Sequence, residues 1–218
     1  MTEPLKAARI RYDEGCLAAH ALNVIGDRWA LLLVRELVFA PKRFQMIRAG
    51  LPGVTASVLA ARLTQLEQAG VIGHDQRLGI YSLTEMGRGL LPVLEALCRW
   101  ALTVPGHDPS RFISPSALMI SMGVNLMSER AGMREIQAGF DFGGEAFEMR
   151  LTKGRLRTTA VTAPEAPFVL AGNGNTLAMA VYGAQPLPAL VAKDIVRVTG
   201  DVAMAEEFLS MFSLSPQS

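Results

Sequence analysis

Residues 51–83 are the most informative stretch of the chain, and they read LPGVTASVLAARLTQLEQAGVIGHDQRLGIYSL. Thr55 is a typical N-cap residue and Gly70 a typical helix stop, so together they predict a helix over residues 56–69. Leucines recur at helical spacing on one side of this helix, and small and polar residues fill the other. Such a polar face fits a helix that reads the major groove of DNA, and it equally fits a surface helix of a small bundle.

The segment after this helix separates the two alternatives. Residues 71–72 and 80–83 are strand-like runs around a polar, Gly-bounded loop, residues 73–79, which carries Arg77. A short helix is also predicted over residues 43–49. A short helix, a longer polar helix and a hairpin with a cationic tip are, in this order, typical of a winged helix-turn-helix. We therefore expect this fold in the N-terminal half.

Three further helices complete the N-terminal half. The spacing of apolar residues predicts them over residues 16–25, 28–39 and 85–102, with Thr84 as the cap of the last one. The helix over residues 28–39 is apolar on most of its surface, so we expect it to lie centrally. A long helix after a wing commonly supplies a dimer interface; the alternative is that it only covers its own domain.

A cluster of proline, glycine and polar residues between Thr103 and Pro115 marks the domain boundary. We place the domains at residues 1–104 and 115–218, with a linker over residues 105–114. The first 104 residues hold twelve basic and nine acidic residues, whereas the remaining 114 hold nine and eleven. The net charge of +1 therefore conceals a basic half of +3 and an acidic half of −2.

A long ordered set of residues carries a family resemblance. The set is Cys16; Gly26, Asp27, Arg28 and Trp29; Arg43 and Phe44; Leu51, Pro52, Gly53, Val54 and Thr55; Leu59; Arg62 and Leu63; Leu66 and Glu67; Ala69 and Gly70; and residues 81–88. This order resembles the HxlR-type winged helix-turn-helix regulators, relatives of the MarR group, over residues 16–103. Leu17 departs from the proline that the family often has there, and the wing is short.

The resemblance implies a homodimer that binds an inverted repeat in double-stranded DNA, most simply as a repressor. Two groups of residues would make the contacts. The residues that would face the major groove are Thr55, Ser57, Val58, Arg62 and Gln65. The residues that would contact phosphates are Lys42, Arg43 and Arg77. Arg62 has an alternative role, because it can fix Glu67 or another nearby acid within the domain instead of reading guanine.

Cys16 has two interpretations. Some relatives use a cysteine near this position as a redox sensor, which requires an accessible thiol whose thiolate is favoured. Here Asp13 and Glu14 are close in sequence and would raise the thiol pKa, and the residue precedes an apolar helix. The sequence therefore favours a packing role. Cys98 is the second cysteine, and two cysteines make no disulfide framework, which fits a reducing cytoplasm.

The C-terminal half is predicted to mix helices and strands. Helices are predicted over residues 115–130, 176–182 and 203–212, and strands over residues 135–137, 140–142, 145–151, 155–161, 168–170 and 195–201. Residues 140–145 (FDFGGE), 153–156 (KGRL) and 198–201 (VTGD) resemble the sterol carrier protein type 2 family. The expected fold class is α+β: a winged helix-turn-helix domain followed by a sterol-carrier-like domain with an antiparallel sheet.

In that family the sheet and helices enclose an apolar tunnel, so the resemblance implies a pocket for a small apolar or amphipathic effector. The candidate lining residues are Met119, Met122, Leu126, Phe140, Met149, Phe168, Leu177, Met179, Tyr182, Phe208 and Phe212. The alternative is that all of them are ordinary core, which is the commoner place for apolar residues. The segment before Gly200 is short, which would reduce or close the tunnel.

The sequence carries no pattern typical of an enzyme or of a membrane protein. His20, His74 and His107 lack metal-ligand spacing, and neither cysteine has a partner for nucleophilic catalysis. No apolar run approaches the roughly eighteen residues of a membrane span, and residues 1–12 lack the apolar core of a signal peptide. We therefore expect a cytoplasmic protein that is not an enzyme and uses neither a metal nor a cofactor.

Two functions from different classes remain open. The first is a ligand-responsive transcriptional regulator, in which the basic half binds DNA and the acidic half binds the effector. The second is a carrier of lipids or other hydrophobic ligands, in which the winged helix serves only dimerisation or protein contact.

Overall fold

The structure of this chain is a computed structural model that describes residues 11–214. Most of residues 1–12, for which no signal peptide was expected, lie outside the described residues. The first residues of the expected N-terminal domain and the last residues of the expected C-terminal domain lie outside them as well. Two buried hydrophobic clusters organise the described chain. The first is built from the N-terminal half and is joined by Ile120 and Val124, whereas the second consists of residues of the C-terminal half, with Phe39 packed against it.

Short helices and a small sheet surround the first cluster. The helices are α1 (Leu17–Ile25), α2 (Ala30–Leu37), α3 (Phe44–Ala49), α4 (Ala56–Gln68), α5 (Glu85–Arg88) and α6 (Leu91–Ala101), and the strands are β1 (Lys42–Arg43), β2 (Ile72–Asp75) and β3 (Ile80–Leu83). Strand β3 lies between β1 and β2 and is antiparallel to both. Helices α3 and α4 form the helix-turn-helix, and β2 and β3 form the wing. Helix α2 lies centrally, with Leu33 and Val34 fully buried.

Three details of this half differ from the prediction. The helix expected over residues 85–102 is broken into α5 and α6, because Pro92 in the first turn of α6 has no N–H to continue the earlier helix. Strand β2 includes residues 73–75, which were expected in the loop, and the wing turn is therefore shorter still. Strand β1 has only two residues, too few for a period-2 pattern to show in the sequence.

A five-stranded sheet and its helices form the C-terminal half. The strands are β4 (Glu135–Asp141), β5 (Ala146–Thr152), β6 (Arg155–Val161), β7 (Phe168–Ala171) and β8 (Arg197–Gly200); the helices are α7 (Pro115–Val124), α8 (Ser128–Ala131), α9 (Gly174–Tyr182), α10 (Leu187–Ala192) and α11 (Val202–Leu209). The strand order is β6-β5-β4-β7-β8, and β4 pairs with β7 in parallel. The sheet is mixed, so the expectation of an antiparallel sheet is wrong at this pair.

The parallel pair arises from a crossing segment, residues 162–167, between β6 and β7. Within it, the backbone of Glu165 hydrogen-bonds to the side chains of Glu148 and Gln137 on neighbouring strands, at 2.7 and 2.9 Å. A side chain at Gly139 would lie 2.7 Å from Pro164 Cβ, so glycine lets this segment cross close to the sheet. The crossing returns the chain to the edge of β4, where β7 starts in the same direction as β4.

Most other elements of this half were predicted from local sequence patterns, with three exceptions. The helix predicted over residues 115–130 ends at Val124; Leu126 then makes an isolated β-bridge with Phe212 before α8 begins. The two strands predicted over residues 135–142 are the single strand β4. Helix α10 was not predicted; Pro186 is its N-cap residue and Pro188 lies in its first turn.

Helix α7 joins the two halves, since it contacts α2 and α6 on one side and β6 and α9 on the other. Within the described residues, no single helix is long and apolar enough to cross a membrane. Helices α1 and α2 pass that test only as a pair, and they are bent by 74° at the break between them.

Candidate nucleic-acid interface

The side of α4 that was predicted to meet DNA is exposed at its first turn and half-buried further along the helix. Thr55 caps the helix, and its hydroxyl accepts a hydrogen bond from the Val58 backbone N–H at 3.3 Å and pairs with the Ser57 hydroxyl at 3.1 Å. Thr55 and Ser57 are exposed and Val58 is half-buried. The leucine stripe on the opposite side of α4 is buried in the first cluster, so the polar side has to face outward.

Arg62 is engaged inside the domain. Its guanidinium lies 2.7 Å from Asp27 Oδ2 and donates a second hydrogen bond to Gln65 Oε1. Of the two roles weighed for Arg62, the structure therefore shows the pairing with a local acid, and the acid is Asp27 instead of Glu67. Asp27 precedes α2, so the pair ties the middle of α4 to the start of α2. Gln65, expected to face the major groove, is half-buried and held by the same guanidinium.

Lys42 does not point toward solvent, and its expected phosphate contact is wrong. Its side chain is 1% exposed, and Nζ lies 2.6 Å from Glu145 Oε2, 3.2 Å from Glu36 Oε2 and 3.1 Å from Ser116 Oγ. A buried lysine is stable only when carboxylates compensate its charge, and drawing it out to a phosphate would leave the two carboxylates uncompensated. Lys42 therefore belongs to the contact between the two halves of the chain.

Arg43 and Arg77 are exposed and lie at the same end of the wing sheet. In the register of the sheet, Arg43 is opposite Ile80, the first residue of β3. Arg77 lies in the turn that leads into Ile80, and this turn is held by the Leu78 N–H bonding Asp75 Oδ1 at 3.0 Å. The sheet thus places the two arginines at the same end, and both are available to an anion.

Glu36 and Asp27 are the site residues that the sequence reasoning missed. Glu36 is fully buried and accepts a hydrogen bond from the Ser114 hydroxyl at 2.6 Å. The available signal was the charged pair Arg35 and Glu36 within the otherwise apolar run of α2, because a buried carboxylate requires a charged partner. For Asp27 the signal was its place beside Arg28 and Trp29, in a set that resembles a family motif.

Most candidate effector-pocket residues are ordinary core. Nine of them are buried in the second cluster: Met119, Met122, Leu126, Phe140, Met149, Phe168, Leu177, Phe208 and Phe212. The Phe208 ring lies 5.8 Å from the Phe168 ring and 5.1 Å from the Phe212 ring, so aromatic side chains fill the space between sheet and helices. Met179 is 42% exposed. The expected apolar tunnel is closed by this packing.

Open space lies elsewhere. A cavity of about 650 Å³ lies between the two halves and is lined in part by Tyr182. A second cavity, of about 320 Å³, includes Tyr182 and Phe212 together with Arg130 and Glu206. Of the candidate residues, Tyr182 and Phe212 border these two cavities.

Cys16 is exposed, so the expected packing role is wrong. It is the N-cap residue of α1, and the nearby backbone N–H groups of Ala19 and Ala18 lower the pKa of its thiol. The pKa of the thiol is therefore lowered, in the direction opposite to that expected from the two acids that precede Cys16 in sequence. Cys98 is half-buried, and burial raises the pKa of its thiol. Among the described residues, no group of three or more His, Cys, Asp and Glu side chains is arranged to hold a metal ion.

Comparison with known proteins places the N-terminal half in a family. A family model described as HxlR-like helix-turn-helix matches residues 24–107. The HTH-type transcriptional regulator YvaP of Bacillus subtilis (strain 168) is 37% identical over 87 residues, which cover 37% of this chain and 80% of that protein. The chain belongs to the HxlR family.

Further relatives of this HxlR-family chain have similar coverage. An HTH-type transcriptional regulator of Methanothermobacter thermautotrophicus is 32% identical over 98 residues, which cover 43% of this chain and 75% of that protein. Among solved structures, quinone-bound YodB from B. subtilis is 34% identical and covers 38% of this chain and 93% of that chain, with a TM-score of 0.36. The HxlR match runs from the end of α1 into the linker, and residues 108–218 lie beyond it.

Proposed function

We propose that this HxlR-family chain is a transcriptional regulator, acting as a repressor, that binds an inverted repeat in double-stranded DNA as a homodimer. The observation that carries the proposal is the exposed first turn of α4, together with two exposed arginines, Arg43 and Arg77, at one end of the wing sheet. A polar helix presents hydrogen-bonding groups to base edges, and arginines beside it neutralise phosphates. Relatives that are 32–37% identical to this chain carry names of HTH-type transcriptional regulators.

The proposal assigns base contacts to the first turn of α4, where Thr55, Ser57 and Val58 lie. Arg62 and Gln65 act by holding α4 against the start of α2, so that the first turn is presented at a constant angle. Phosphate contacts fall to Arg43 and Arg77. The net charge of +3 on the first 104 residues is small, so binding depends on two half-sites as well as on charge.

Exposed apolar residues on α1 and α6 support a homodimer. Leu17 is 85% exposed, Leu22 49% and Trp100 64%, with Val93 also exposed. Apolar side chains clustered on two helices are typical of a surface covered by another chain. A two-fold dimer would place two copies of α4 in successive major grooves, which is the geometry of an inverted repeat.

We infer two domains, residues 1–104 and 115–218, with a linker over residues 105–114. The two hydrophobic clusters support this division. The sterol-carrier-like assignment of the second domain rests on residues 140–145, 153–156 and 198–201, which lie at or beside the ends of strands in the mixed sheet. Its packed interior counts against the alternative function, a carrier that encloses a lipid.

Fluorescence anisotropy with a labelled duplex from the region upstream of the protein's own gene tests the proposal. The Arg43→Ala variant should bind every sequence more weakly, and the slope of log affinity against log salt should fall by about 1 per lost phosphate contact. Arg157→Ala is the matched control, because Arg157 is an exposed strand residue of the other half and should change neither quantity.

Two results would count against the proposal. Unchanged affinity and unchanged salt slope for Arg43→Ala would exclude this docking of the wing sheet. No binding by the unaltered protein at low salt, with the same duplex, would favour the hydrophobic-ligand carrier.

A further inference from the structure

The cavity of about 650 Å³ lies where the two halves of the chain meet. Its walls come from α2 and α6 of the winged-helix half, from the linker, and from α7 and α9 of the C-terminal half. Sites for small organic ligands occupy about 300–1,000 Å³ and occur preferentially between domains. The cavity therefore has the size and the position of a ligand site, although it is not the tunnel expected inside the C-terminal half.

The walls of this cavity are mainly apolar. They include Leu31, Leu94, Leu97, Phe112, Ile120 and Ala178. The two arginines on the wall each have an acidic partner: Arg35 lies 2.8 Å from Glu36 Oε1, and Arg111 lies 3.3 Å from Asp108 Oδ2. A charged ligand would lose its hydration here without gaining an uncompensated partner, so the walls favour a neutral molecule.

One end of the cavity carries a hydroxyl pair. Ser121 and Tyr182 both border the cavity, and their hydroxyl oxygens lie 2.9 Å apart; Asn125 Nδ2 donates to Ser121 Oγ at 3.2 Å. Each of the two hydroxyl groups has one proton. One proton makes the hydrogen bond between Ser121 and Tyr182, so the other can be donated to a third atom. Burial raises the pKa of Tyr182 to about 12, so its phenol stays protonated and able to donate at physiological pH.

We propose that this cavity binds a neutral, mainly apolar organic molecule whose carbonyl or hydroxyl oxygen accepts a hydrogen bond from the Ser121–Tyr182 pair. Because both halves supply walls, a bound molecule contacts α2 and α6 together with α7 and α9. It would therefore stabilise one arrangement of the two halves. A resulting change in DNA affinity rests on the regulatory function proposed above, whereas binding itself does not.

A titration of the full chain with Nile red tests the site, since this dye is neutral, apolar and carries a carbonyl acceptor. The dye should bind saturably, with one molecule per chain, and its fluorescence should rise and shift to shorter wavelength. Ala101→Phe should weaken binding at least tenfold, because Ala101 is exposed at the last residue of α6 and borders the cavity, so a phenyl ring there occupies part of it.

Ala192→Phe is the matched control. Ala192 is also an exposed alanine at the last residue of a helix, α10, and it is not among the residues that border this cavity. It should bind the dye like the unaltered protein. The double variant Ser121→Ala/Tyr182→Phe tests the polar end, and it should weaken binding several-fold while circular dichroism remains unchanged.

Three outcomes would overturn the proposal: no saturable binding by the unaltered protein, equal binding by Ala101→Phe and Ala192→Phe, or unchanged affinity in the double variant. The dye is titrated without DNA, so its result is independent of the regulatory function. If the cavity proposal is wrong, the dye does not bind saturably. If the regulatory proposal is wrong, the anisotropy of the labelled duplex does not change when the protein is added.

Discussion

The two residues of strand β1, Lys42 and Arg43, differ in burial. Lys42 and Arg43 look alike in the sequence, as a basic pair before the helix-turn-helix, but one is buried and the other exposed. Successive side chains of a strand point to opposite faces, so a basic pair on a strand cannot place both charges on the same surface. The sequence showed the pair, but it did not show that these two residues form a strand.

The two cysteines should differ in reactivity. With iodoacetamide at pH 7.5, Cys16 should be alkylated before Cys98, because Cys16 is exposed with a lowered thiol pKa whereas burial raises that of Cys98. Mass spectrometry of digested samples over time measures both rates in one reaction. Cys16→Ser should abolish the fast phase, and equal rates or a faster Cys98 would contradict the prediction.

At the scale of elements, helix α4 was well predicted and the helix after the wing was not. The predicted helix over residues 56–69 is observed as Ala56–Gln68, since a cap, a stripe of leucines and a glycine stop are all local signals. The expected continuous helix over residues 85–102 failed at Pro92. Its apolar spacing continues through the break, so periodicity alone did not reveal it.

The orientation of α4 depends on the Arg62–Asp27 pair. The side chains are 26% and 18% exposed, so solvent weakens the pair, and Arg62→Ala should lower the free energy of unfolding by about 1 kcal/mol. A double-mutant cycle with Asp27→Ala, followed by urea denaturation, should give a coupling energy of about 0.5–1 kcal/mol.

Arg99→Ala is the control for this cycle. Arg99 pairs with Glu95 one turn earlier on α6 at 3.5 Å, and both are more exposed, so this loss should cost at most a few tenths of a kcal/mol. Zero coupling between Arg62 and Asp27, together with a loss of guanine preference in Arg62→Ala, would restore the base-reading role for this arginine.

At the scale of the whole molecule, the halves are joined by a buried polar cluster. Glu36, Lys42 and Arg35 come from the winged-helix half, and Ser114, Ser116 and Glu145 complete the cluster from the linker and the C-terminal half. Two cations face two carboxylates, so the charges balance. Gly50 permits this packing, because a side chain there would collide with the Glu36 carboxylate.

Removal of the central cation should destabilise the whole chain. Lys42→Met leaves Glu36 and Glu145 without their shared partner, and we expect a loss of about 3–5 kcal/mol in the free energy of unfolding, measured by urea denaturation. Arg43→Met is the matched control, as the exposed neighbour on the same strand, and it should change stability by less than about 0.5 kcal/mol. Equal stability of the two variants would show that the cluster does not hold the halves together.

Local chemistry was sufficient for the winged helix-turn-helix, the cap of α4 and strand β6, because periodicity, caps and turn residues act between positions a few residues apart. The buried state of Lys42, the partner of Arg62, the parallel pairing of β4 with β7 and the cavity between the halves each join residues that are far apart in the chain. Such contacts exist only once the chain has folded back on itself. The folded structure alone therefore showed that one predicted DNA contact is a domain contact, and that the open cavity lies between the halves instead of inside one.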